Sequence, residues 1–139
     1  MKAIMYGAGN IGRGFVGALL SQAGYRVSFI DVMEPVVRAL QDQQRYPVRY
    51  VSTEGNEDVW IENVTAVNGN DLEAVSDAIA ECDIMATAVG ARILKFIAPN
   101  IAAGLRKRWA DGEKPLNIII CENLMDANKV LETQIPLSS

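Results

Sequence analysis

The hydrophobic pattern along the chain switches repeatedly between two periods. Residues 2–6 form a short apolar run that stops at Gly7, as a buried strand does. Residues 10–23 follow, with Ile11, Phe15, Ala18, Leu19 and Gln22 near helical spacing. Gly24 then fits the position past a helix end, where positive φ costs glycine little. Residues 26–30 predict a second strand closed by Asp31, and residues 34–43 a helix with Pro35 in its first turn. The stretch 46–68 alternates instead. Val48, Tyr50 and Ser52 interleave with Arg49 and Val51, and Glu54-Gly55-Asn56-Glu57 signals a turn before the β-prone run 59–61. A β-hairpin near 46–62 is expected, then a strand near 64–67. Beyond it the pattern predicts a helix over 71–80, a strand over 83–87, a helix over 93–109, a strand over 116–121 and a closing helix over 123–132.

Strands that alternate with helices call for a mainly parallel sheet covered on both faces. Right-handed crossovers make it α/β and doubly wound. Ligands of such folds sit at the carboxyl ends of the strands. This directs attention to residues 7–12, Asp31, 87–90 and 121–123.

Gly7-Ala8-Gly9-Asn10-Ile11-Gly12 is a G-x-G-x-x-G. The string alone is weak. Here it follows a predicted strand, opens a predicted helix, and precedes an acidic residue, Asp31, at the end of the next strand. That context makes it a dinucleotide fingerprint and the fold Rossmann-type. Gly7 permits a tight turn, Gly9 leaves room for a pyrophosphate, and Gly12 lets helix and strand pack closely. The first N–H groups of the helix hold the phosphates. Asp31 would accept hydrogen bonds from the adenosine ribose. Val32 and Met33 bring no cation to neutralise a 2′-phosphate, so NAD is expected over NADP. A ligand-free glycine turn and a flavin-binding variant are the weaker alternatives. A P-loop is excluded because no Gly-Lys-Ser/Thr follows.

Thr87-Ala88-Val89-Gly90 ends a strand in small residues. It serves either close approach of a cofactor or a plain turn. Asn123 either donates to a substrate carbonyl oxygen or caps a helix, and by residue chemistry alone capping is favoured. Arg13 either reaches a phosphate or is solvated. Cys121 reads as a small packed residue, Trp60 and Trp109 as covers for apolar surface, and Arg106-Lys107-Arg108 as a solvated helix end.

Composition narrows the chemistry. The chain has 139 residues, 50% hydrophobic and 22% charged, one globular domain's worth. No apolar run approaches the ~18 residues of a membrane span, and the apolar start reads as a strand rather than a signal peptide. The net charge of -4 argues against a nucleic-acid surface. Cys82 and Cys121 form no C-x-x-C pair, so a reducing, cytoplasmic setting and no metal site are expected. Histidine is absent, which removes Ser-His-Asp and Cys-His triads from this chain.

The run Gly7-Ala8-Gly9-Asn10-Ile11-Gly12-Arg13-Gly14-Phe15 is more specific than its glycines. With Asp31-Val32, Thr87-Ala88-Val89-Gly90, Ile97-Ala98-Pro99 and residues 115–123, it resembles the N-terminal part of the polyol-specific long-chain dehydrogenases, the mannitol dehydrogenase family. Ile11-Gly12-Arg13 stands where other branches carry Phe-His-Arg, which favours the sugar-phosphate branch. The resemblance implies NAD-dependent interconversion of D-mannitol 1-phosphate and D-fructose 6-phosphate. It implies that Asn123 polarises the reacting oxygen and that Arg13 lies near a phosphate. It also implies a lysine base in a Lys-(x)4-Asn-x-x-His pattern within a helical C-terminal domain. No such pattern is present. The expectation is therefore a cofactor domain over 1–139, inactive alone, with the catalytic domain in cis. A stand-alone NAD-sensing module is the alternative.

Overall fold

A computed structural model of the chain describes residues 1–9, 12–110, 112 and 115–121. Among them five parallel strands form one sheet: β1 (Lys2–Tyr6), β2 (Arg26–Asp31), β5 (Val64–Asn68), β6 (Ile84–Thr87) and β7 (Asn117–Ile120). Their spatial order is β5-β2-β1-β6-β7. The order reverses at β1, so the crevice for a ligand opens past the carboxyl ends of β1 and β6. Between β2 and β5 lies a separate antiparallel pair, β3 (Arg45–Ser52) and β4 (Gly55–Glu62). The doubly wound sheet and the hairpin agree with the sequence pattern.

Alternation along β1 sets the two cores. Ile4 and Tyr6 face one side, with Ile30 and Met85. They pack under α3 (Leu72–Glu81) and α4 (Ala91–Ala110) through Val75, Ile79, Leu94 and Ile101. Ala3 and Met5 face the other side, with Val27 and Phe29. They are covered by α1 (Gly17–Gln22), α2 (Glu34–Gln43) and the hairpin. A sheet buried on both faces explains why its strands read as continuous apolar runs.

Local chemistry sets the element ends. Asp71 accepts from the Ala74 N–H at 3.2 Å and caps α3. Pro35 opens α2, and Gly24 takes φ +98° after α1. Ser52 pairs with Gly55, so the hairpin turns at Thr53 and Glu54, two residues earlier than the centre of the Glu54-Gly55-Asn56-Glu57 signal. Gly55 begins β4 at φ +130°, a backbone shape that glycine alone takes cheaply. Tyr46 holds the hairpin to the core. Its ring meets Phe29 edge-on at 5.7 Å, and its hydroxyl donates to the Arg13 carbonyl at 2.7 Å.

Two side-chain expectations change. Arg108 is not solvated: it is 5% exposed and donates to the carbonyls of Ile79, Ala80 and Cys82, and to Pro115 at 3.1 Å. A forked guanidinium satisfies several carbonyls at once, and here it ties the end of α3 to the entry of β7. Its neighbour Lys107 pairs with Asp77. Trp60 covers little apolar surface. It is half-exposed on the hairpin, with the Arg45 guanidinium 4.5 Å from its ring centroid. Trp109 does pack against the core. The expected helix over 123–132 lies outside the described residues. No described helix is long and apolar enough to cross a membrane.

Candidate functional site

The fingerprint loop is held by neighbouring strand ends. The Gly7 N–H donates to the Ile30 carbonyl at 2.8 Å, and the Ala88 N–H to the Tyr6 carbonyl at 2.9 Å. Gly7 takes φ +109°, and a Cβ there would sit 2.5 Å from the Ala88 carbonyl oxygen. The tight turn expected of Gly7 is thus also a close packing between the ends of β1 and β6. Around Gly9 the space is open: a Cβ would meet nothing within 4 Å. That is the ground a phosphate needs to reach the backbone. Gly12 begins a wide π-type helical turn, Gly12–Val16, that runs into α1; such turns recur at functional sites.

Asp31 is oriented by the backbone. One carboxylate oxygen accepts from the Ala8 N–H at 2.8 Å, the other from the Met33 N–H at 3.0 Å. Each oxygen keeps a lone pair for a further donor. Val32 and Met33, beside it, are 59% and 60% exposed. Across the rim the Gly69 N–H donates to the Asp31 carbonyl at 2.9 Å.

These groups border a cavity of about 430 Å³ at the carboxyl edge of the sheet. Of the residues singled out from sequence, Gly7, Gly9, Asp31, Val32, Ala88 and Val89 line it. Ala8 is buried beneath it and contributes its N–H to Asp31. Gly90 turns the chain into α4 at φ +90°, its carbonyl accepting from Ile93 and Leu94. Asn10, Ile11 and Asn123 lie outside the described residues. Arg13 lies apart, in a second cleft of about 430 Å³ shared with Gly14, Tyr46, Pro47, Val48 and Arg49. Its Nε is enclosed, with no hydrogen-bond partner among the described residues.

Sequence reasoning missed the far wall. Ile93, Phe96, Ile97 and Asn100, one face of α4, line the cavity opposite Asp31, with Gly69 and Asn70 at one side and Tyr6 at its base. Their helical spacing was legible, but it reads as core. Phe96 is instead 74% exposed. Burial raises the Tyr6 phenol pKa, an effect that the Asn100 side chain opposes in part.

An apolar slot, an open glycine backbone and an oriented carboxylate at a strand switch point define a nucleotide-binding domain of the doubly wound class. The chain belongs to the mannitol dehydrogenase family: the model of the mannitol dehydrogenase Rossmann domain matches residues 1–137. Curated relatives named mannitol-1-phosphate 5-dehydrogenase agree along nearly the whole chain. One from Geobacillus thermodenitrificans is 44% identical over 136 residues, covering 97% of this chain and 35% of its own length. One from Shouchella clausii is 48% identical, covering 97% and 36%. One from Aspergillus clavatus is 47% identical, covering 94% and 33%. The chain thus spans about a third of the length of these relatives. A solved octopine dehydrogenase, at 16% identity, superposes with a TM-score of 0.70 over 97% of this chain and 32% of its own, a likeness of fold.

Proposed function

We propose that the chain is the NAD-binding domain of a cytoplasmic dehydrogenase that interconverts D-mannitol 1-phosphate and D-fructose 6-phosphate by hydride transfer. The observation that carries the cofactor assignment is the Asp31 carboxylate, held by Ala8 and Met33 at the rim of the cavity beside the open face of Gly9. The substrate assignment is supported by the relatives, which bear that enzyme's name over 94–97% of this chain.

The residues fit the cofactor. Gly9 and the following helical turn receive the pyrophosphate, Asp31 accepts from the ribose hydroxyls, and the slot between Val32 and α4 takes the base. When bound, NAD supplies the site that accepts or returns the hydride. Asp31 also repels a 2′-phosphate, which sets NAD above NADP. Ala88, Val89 and Gly90, at the end of β6, would let the cofactor lie close to the backbone. Asn123 donates to the reacting oxygen, and Arg13 in its cleft faces a phosphate. The general base lies outside these residues, in a further helical domain acting in cis, because the Lys-(x)4-Asn-x-x-His pattern has no counterpart in the chain.

The test is a titration and an assay on the 139-residue chain. NADH binds, NADPH binds more weakly, and fructose 6-phosphate is not reduced. Asp31→Ala weakens NADH by about 1–3 kcal/mol, the scale of a lost charged hydrogen bond. NADPH binding more tightly than NADH would reverse the cofactor assignment. Turnover by the chain alone would overturn the assignment of the base to another domain.

A further inference from the structure

The base of the cavity holds a polar pair that neither the fold nor the fingerprint explains. Tyr6 is 3% exposed, with its ring among the apolar residues under α4. Its hydroxyl is enclosed and completes no hydrogen bond of normal geometry among the described residues. An orphan buried hydroxyl is costly, where phenylalanine would fill the same space without penalty. The Asn100 side chain opposes the rise that burial gives the phenol pKa. Asn100 lines the same cavity, one helical face with Ile93, Phe96 and Ile97. An apolar slot of this kind, with the Asn100 carboxamide on its α4 wall and Asn70 at its side, suits a flat heteroaromatic base. The carboxamide offers a donor and an acceptor side by side. Adenine presents the complement, an amino donor at its 6-position beside a ring-nitrogen acceptor.

We propose that Asn100, oriented from below by the Tyr6 hydroxyl, reads the 6-amino edge of the adenine ring of the bound dinucleotide. Asn100 makes the contact, and Tyr6 is a positioning residue that acts through it. This rests on the reading of the cavity as the adenosine site. It adds base recognition to a slot otherwise selective only for shape and for the ribose.

The experiment compares binding of NADH with binding of the analogue whose base is unsubstituted purine, using the 139-residue chain. The analogue keeps the stacking ring, the ribose and the pyrophosphate, and lacks any group at the 6-position. The wild-type chain binds NADH about five- to tenfold more tightly than the analogue, the scale of one hydrogen bond. In Asn100→Ala that ratio falls to about one, and in Tyr6→Phe it falls part of the way; the analogue, which keeps the ring-nitrogen acceptor, is weakened less than NADH in both variants. Asn100 lies on a helix face, so its variant keeps the test open if Tyr6→Phe does not fold. A ratio near one in the wild type, or one unchanged in Asn100→Ala, overturns the inference and leaves the cofactor assignment standing. Failure of the wild type to bind either dinucleotide overturns both.

Discussion

Asp31 and Cys82 show how a single side chain takes its chemistry from its surroundings. Asp31 holds two backbone N–H groups, at 2.8 and 3.0 Å, while facing the cavity. Its position in sequence was legible because the fingerprint fixes its distance from the glycines. Its grip on Ala8 was not, because that bond depends on how β1 and β2 align. Cys82 is the opposite case. It is 2% exposed, its Sγ donates to the Ile79 carbonyl at 3.4 Å, and burial pushes its pKa up from 9.0 to about 11. Thiolate is the reactive form, so Cys82 is inert near neutral pH. Iodoacetamide at pH 8 is expected to leave Cys82 unmodified in the folded chain and to alkylate it once urea unfolds the protein, as peptide mass mapping reads out. The linkage has a definite sign. The folded thiol holds its proton at pH values where the unfolded one has released it. Stability is therefore unaffected below pH 9 and falls as pH rises toward 11. The thermal midpoint of the wild type should drop more steeply over that window than that of Cys82→Ala. Equal slopes would remove the burial argument.

At the scale of elements, the alternation of periods in the sequence marks out strands and helices, because each buries a different stripe. The contacts between elements are far less legible. Gly104, inside α4, reads as a mild helix weakness. In the structure a Cβ at Gly104 would lie 2.6 Å from the Ile79 Cβ and 2.7 Å from its Cγ2. The glycine is what lets α3 and α4 close over the sheet. Gly104→Ala should destabilise the chain by about 1–3 kcal/mol, the usual cost of overpacking, with urea denaturation as the measurement. Gly14 is the contrast. A Cβ there meets nothing within 4 Å and its φ is not positive, so Gly14→Ala should be neutral or gain up to about 1 kcal/mol. Equal effects at the two positions would contradict the packing account. The same limit explains Arg108. A basic helix end complements the helix dipole in any sequence reading, but only the fold brings the carbonyls of Ile79, Ala80 and Cys82 around it.

In the whole molecule, the candidate site and the parts that hold the scaffold together occupy different regions. The cavity lies at the carboxyl edge, where β1, β2 and β6 end. The hairpin stands outside the parallel sheet and is anchored by Tyr46 and Ile61. Arg108 and the Lys2 ion pair with Glu81 hold the opposite edge. A ligand that binds only the folded state stabilises it by mass action, but its contacts protect the amides next to it first. Hydrogen exchange with and without saturating NADH should therefore divide the chain. Protection should rise at residues 6–9, 31–33, 68–70 and 88–90, which border the cavity. Amides of 48–59 in the hairpin should change little, since none of its described residues lines the cavity. Uniform protection across both regions would mean that NADH acts by global stabilisation alone. Protection centred on the Arg13 and Arg49 cleft would mean that the dinucleotide lies on the hairpin side of the sheet instead.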